Sequence, residues 1–103
     1  MPQIDRELEV KDSTKIEEPP LYRVILHNDD YTTMEFVVNI LETIFQKSRE
    51  QAEMLTMQIH ITGEAVCGVY TYEIAVTKAD QVKKLARENS FPLLATVEID
   101  EGD

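Results

Sequence analysis

Cysteine, tryptophan, glycine and positive charge are all scarce in this chain. Among 103 residues there is one cysteine, no tryptophan, three glycines, and ten Lys or Arg against twenty Asp or Glu. A single cysteine excludes an intrachain disulfide framework and a thiolate zinc cluster. Three glycines are too few for most loops that cradle phosphate, and neither G-x-S-x-G nor H-E-x-x-H occurs. With a formal charge of −10 the chain is ill suited to nucleic-acid backbones, which are gripped by Lys and Arg. No apolar run approaches the roughly 18–20 residues that span a bilayer. The opening MPQIDRELEV has neither the basic nor the apolar region of a secretory signal. The expectation is a cytoplasmic protein with no nucleic-acid or membrane partner, no cofactor, no resident metal and no enzymatic activity.

What is present suits one small domain: 43% of the residues are apolar. The acidity is peripheral. Residues 1–20 carry six acids and three bases and end in Pro19-Pro20; Glu98, Asp100, Glu101 and Asp103 crowd the other end. Residues 21–97 have a net charge of only −3. Ile4, Leu8, Val10 and Ile16 follow no sustained period, so residues 1–20 read as a flexible tail, with a short helix over Ile4–Val10 as the alternative. Residues 21–99 form the folded core, and 100–103 an acidic end.

Leu21 to His27 is a short β-branched run between a proline pair and Asn28-Asp29-Asp30, which predicts a buried strand. Thr32-x-x-Glu35 has the form of a capping box. Met34, Val37, Val38, Leu41, Ile44 and Phe45 then follow at helical spacing to about Lys47. Ser48-x-x-Gln51 offers a second box, for a helix with Ala52, Leu55 and Ile59 on one face, ending between His60 and Gly63. Glu64 to Tyr70 predicts a strand. A third helix runs from Tyr72, capped by Thr71, to about Asn89, with Ile74, Ala75, Ala79, Val82, Leu85 and Ala86 in its apolar stripe. Phe91-Pro92 interrupts the chain, and Leu93 to Ile99 alternates as a last strand. The order is βααβαβ, an α+β fold with a small sheet covered by helices.

Three places carry chemistry. Asn28-Asp29-Asp30, between a strand and a helix start, has two readings. One is turn chemistry, in which these side chains bond local amides. The other is a cation or ammonium site, since amide and carboxylate oxygens accept what an ammonium donates. A divalent-ion site built from Asp29, Asp30, His27 and His60 is a further alternative, although such ions want more oxygens in a defined geometry. His60, between Ile59 and Ile61, is either a packing residue or an acceptor for a protonated amine. Cys67 sits between Val66 and Gly68 with nothing nearby to activate it, so it reads as a buried structural thiol.

Three segments, LYRVILHNDDYTTMEFVVNIL, QIHITGEAVCGVYTYEIAVTK and ARENSFPLLATVE, resemble the ClpS family over about residues 21–99. The combination of NDDYTxMEFV, H-x-x-G-x-A-x-CGV and ARENxxPLL is specific. The resemblance implies a three-stranded antiparallel sheet packed with three helices, and an adaptor that delivers N-degron substrates to a Clp AAA+ unfoldase. It implies that Asn28, Asp30 and His60 take the free α-amino group of a substrate's first residue. The Phe, Tyr, Trp or Leu side chain would then enter a pocket walled by Thr32, Met34, Val37, Thr56, Ile59 and Leu93, with His27 near the wall. It implies further that Glu73 and Lys78 face the N-terminal domain of a ClpA- or ClpC-type unfoldase, and that the N-terminal tail serves delivery.

The sequence departs from the family pattern at three positions. His27 stands where an aliphatic residue is common, Thr56 where a pocket-facing methionine is common, and Thr33 where a proline usually precedes Met34. The first two make the pocket more polar or change its size. The resemblance implies that Met34 gates the pocket, and with Thr56 smaller than methionine a looser gate and an altered hierarchy among first residues follow as expectations.

Overall fold

The computed structural model describes residues 18–101; the expected tail over residues 1–20 therefore falls mostly outside the described residues, as do 102 and 103. The element order is β1 (Leu21–His27), α1 (Met34–Thr43), α2 (Arg49–Thr62), β2 (Glu64–Tyr70), α3 (Tyr72–Glu88) and β3 (Leu94–Asp100). The three strands form one antiparallel sheet in the order β2-β1-β3, so the first strand is the central one. This is the βααβαβ, α+β architecture that the sequence predicts.

Strand alternation divides β1 between two environments. Val24 and Leu26 are fully buried and join Ala65 and Cys67 of β2 under the helices. Arg23, Ile25 and His27 point to the opposite face. There Ile25 is covered by its cross-strand neighbours Val66 and Thr96, and Arg23 pairs with Glu98 at 3.4 Å. Opposite β1, Val24 faces Gly68 while Ile25 faces Val66, so Cys67 is an extra residue in a β-bulge. Gly68 sits just beside it with the Tyr70 ring packed over its Cα, where a Cβ would push the ring aside.

The helices pack Val37, Val38, Ile40 and Leu41 from α1, Ala52 and Ile59 from α2, and Ala75, Val82 and Ala86 from α3 into one contiguous core. The Ser48–Gln51 capping box is present in both halves, with Gln51 N–H donating to Ser48 Oγ at 3.1 Å and Ser48 N–H to Gln51 Oε1 at 3.3 Å. Gly63 ends α2 at φ +99°, a left-handed stop open to glycine.

Local details differ from the sequence expectation. The cap of α1 is Thr33, whose hydroxyl accepts the Phe36 N–H at 3.1 Å, one residue later than predicted. Thr32 lies in the preceding turn, where its hydroxyl donates to Asp29. The same helix stops at Thr43 rather than near Lys47. Gln46 adopts φ +53°, and the Lys47 N–H returns to the Leu41 carbonyl at 3.0 Å. Ile74, assigned to the buried stripe of α3, is exposed. Leu93 is buried just before β3 begins, and Ile99 at the strand's far end is exposed.

Candidate functional site

The site begins where β1 ends. The Asn28 N–H donates to the Gly63 carbonyl at 2.8 Å, which ties the residue after β1 to the cap of α2. His27 pairs with Glu64 across the sheet in the same place. This stitching brings the Asn28-Asp29-Asp30 segment alongside the last turn of α2, which carries His60.

Asp29 and Asp30 stand in different surroundings. Asp29 Oδ1 accepts the Tyr31 and Thr32 N–H groups at 2.8 and 2.7 Å, and its Oδ2 accepts the Thr32 hydroxyl at 2.7 Å. Partial burial by itself would raise this carboxyl, but the Thr32 and Tyr31 donors outweigh it and hold Asp29 below the usual carboxylate range. Asp29 is thus turn chemistry. Asp30 is exposed and makes no hydrogen bond or ion pair among the described residues, as do the side chains of Asn28 and His60. The braced turn leaves one amide, one carboxylate and one imidazole free to accept donors.

The residues expected as apolar walls differ in burial. Val37, Ile59 and Leu93 belong to the same buried cluster, Thr56 is buried beside Ile59 on α2, and Thr32 is half-buried. Met34 stands 43% exposed in the first turn of α1. An aromatic contact between Phe36 and Phe91, with centroids 4.8 Å apart, draws the segment before β3 against α1 and carries Leu93 with it. A groove of about 530 Å³ between α3 and the start of β3 shares Leu93 with these walls but none of the polar rim, so it is a separate feature.

His27 is not brought to the walls. Its ring lies on the sheet face opposite Leu26, with Nε2 2.7 Å from Thr96 Oγ1 and Nδ1 3.3 Å from Glu64 Oε1. The divalent-ion alternative loses its geometry for the same reason. Asp29 is filled by three donors, His27 is turned away, and no three metal-ligating side chains cluster among the described residues. Cys67 is buried, and desolvation pushes its thiol up to about 12, against weaker lowering by the Leu26 backbone and Lys47. A thiol that stays protonated is no nucleophile.

Glu73 and Lys78 differ in standing. Glu73 is exposed in the first turn of α3 without an ion-pair partner among the described residues. Lys78 is partly buried: its Nζ donates to the Ile44 carbonyl at 2.7 Å and to Gln46 Oε1 at 3.2 Å, and lies 5.4 Å from the Tyr70 ring centroid. Sequence reasoning missed this role, in which Lys78 closes the C-terminal end of α1. The signal available was only a lysine within reach of a helix end, too common to single out. No helix among the described residues is long and apolar enough to cross a membrane.

Comparison with known proteins agrees with this architecture. The family profile described as "ATP-dependent Clp protease adaptor protein ClpS" matches residues 17–96. A Desulforapulum autotrophicum protein named ATP-dependent Clp protease adapter protein ClpS is 56% identical over 90 residues, covering 84% of this chain and 86% of its own. Its Syntrophus aciditrophicus counterpart is 52% identical, covering 91% and 88%. Among solved structures, Agrobacterium tumefaciens ClpS2 bound to L-phenylalaninamide is 41% identical with a TM-score of 0.78, covering 81% of this chain and 100% of that one. These names describe an adaptor and not an enzyme, and the chain belongs to the ClpS family of Clp protease adaptors.

Proposed function

We propose that this adaptor binds proteins whose first residue is Phe, Tyr, Trp or Leu with a free α-amino group, and hands them to a Clp AAA+ unfoldase. The observation that carries the reading is the split between Asp29 and Asp30. One carboxylate is consumed in holding the turn, and the other is exposed without an internal partner among the described residues, in the segment whose Asn28 N–H is tied to Gly63 at the end of the helix that carries His60. An α-ammonium offers donors only, so three acceptors with no competing internal donor suit it. The ligand in the Agrobacterium tumefaciens ClpS2 structure, L-phenylalaninamide, has a free amine and a benzyl side chain and mimics the start of a polypeptide.

Affinity then has two sources. Charge-assisted hydrogen bonds from the amine fix the chain end. A large apolar side chain against Val37, Ile59 and Leu93 adds about 2–3 kcal/mol by leaving water. Met34, exposed and unbranched, can close over that side chain. Docking on the unfoldase falls to the α3 surface at Glu73 and Lys78, with the N-terminal segment contributing to delivery.

Titration with a Phe-initial peptide tests the site. Asp30→Ala and His60→Ala each weaken binding with the melting temperature retained, whereas wild-type affinity in both variants overturns the assignment. Degradation of a Phe-initial substrate by a Clp unfoldase–protease should accelerate when the chain is added, and Glu73→Arg should reduce that acceleration with peptide affinity intact.

A further inference from the structure

Thr56 lies in the middle of α2, is 5% exposed, and its hydroxyl has no hydrogen-bond partner. A helical threonine ordinarily has one at hand. Thr43 in α1 donates to the Asn39 carbonyl and Thr62 in α2 to the Gln58 carbonyl, both at 2.8 Å. Thr56 is more buried than either and makes no such bond. Its hydroxyl is therefore not spent on the backbone of its own helix. Buried polar groups are almost always satisfied, and an orphan calls for an explanation such as a ligand.

Its position supplies that explanation. Thr56 precedes Ile59 by three residues and His60 by four, so the three share one side of the helix, about one turn or roughly 5–6 Å apart. His60 is exposed at the rim, and Thr56 is buried further in. Thr56 is thus the polar group that lies one helical turn inward from His60.

We infer that the Thr56 hydroxyl is a specificity-determining hydrogen-bond group that selects tyrosine over phenylalanine as the first residue. The inference rests on the N-terminal-residue reading above. A phenol and a threonine hydroxyl each donate and accept, so the pair forms in either direction. A phenyl ring leaves Thr56 unpaired, and a methionine in its place would have no hydroxyl to offer. The more polar wall noted in the sequence thus acquires a chemical purpose.

Calorimetric titration of peptides differing only in the first residue, Tyr or Phe, tests this on wild type, Thr56→Val and Thr56→Ser, with an Nα-acetylated Tyr peptide alongside. Valine keeps the shape and removes only the hydroxyl. In wild type and Thr56→Ser the Tyr peptide binds roughly 3- to 10-fold tighter than the Phe peptide, the size of one net hydrogen bond, and in Thr56→Val the ratio falls to about one. An unchanged ratio in Thr56→Val overturns the inference while leaving amine binding intact. Equal affinity for the acetylated Tyr peptide instead overturns the reading beneath it. Thermal melting gives a check free of ligand: Thr56→Val melts at or above wild type, because an orphan hydroxyl has gone. A clearly lower melting temperature means that the hydroxyl is satisfied within the fold, and the inference fails.

Discussion

Replacing Asp29 by alanine removes three contacts at once, while replacing its neighbour Asp30 removes none among the described residues. Each lost bond contributes about 1 kcal/mol net, more with a charged acceptor, but Asp29 is half-exposed and water takes over part of the loss. A cost of about 2 kcal/mol for Asp29→Ala follows, against less than about 0.5 kcal/mol for Asp30→Ala. For a domain of this size that is a drop of about 8–16 °C in melting temperature against a few degrees at most. The peptide-binding profile should be the reverse, with Asp30→Ala losing affinity through a missing acceptor. A pH series adds a sign check. The Asp29 carboxyl is held low in the fold, so its contribution is complete above the unfolded value of about 3.9 and is lost as pH falls through the native one. The gap between wild type and Asp29→Ala therefore narrows in acid. Melting by circular dichroism from neutral pH downwards measures it. Coincident melts of the two variants at neutral pH, or a gap that widens in acid, would refute the division of labour between the two carboxylates.

Lys78→Met loses the bonds to Ile44 and Gln46 and the contact with Tyr70, and should cost about 1–2 kcal/mol in urea denaturation, whereas Glu73→Ala should stay within about 0.5 kcal/mol. Gly68→Ala forces the Tyr70 ring aside and should destabilise by about 1–3 kcal/mol, with most of that cost absent in a Tyr70→Ala background. The Cys67 thiol should resist an aromatic disulfide reagent in the native protein at pH 8 and react fully on unfolding.

Much of the fold was legible because local signals agreed with each other. The proline pair, the Ser48–Gln51 box, Gly63 and Thr71 each mark an element boundary that the structure keeps. The errors arose where two residues competed for one role. Thr32 and Thr33 are chemically alike as caps, and residue type does not announce that Thr32 turns to Asp29 while Thr33 caps the helix. The early stop of α1 depends on a left-handed Gln46 and on Lys78, 32 residues away, neither of which periodicity can announce. Spacing alone left Asn28-Asp29-Asp30 poised between turn and ligand site. The structure commits Asp29 to the turn and gives Asp30 no internal partner among the described residues, a difference that no pattern of residue types could have apportioned. The resemblance implies a place near the wall for His27, whereas strand alternation sets its ring on the sheet face opposite Leu26, against Thr96 and Glu64. The scarcity of positive charge also narrows in meaning. Most of the −10 lies at the chain ends, and the site depends on where Asp30 stands, not on the total.

Amine recognition is the centre of this account, and one comparison reaches it directly: the affinity of a Phe-initial peptide with its α-amino group free and with it acetylated. Acetylation removes the positive charge and most of the donors that Asn28, Asp30 and His60 would accept. Affinity should fall on the order of 100-fold, short of the 10⁴ or more of a fully buried polar site because these three side chains are exposed. Equal affinity for the two peptides would contradict the account.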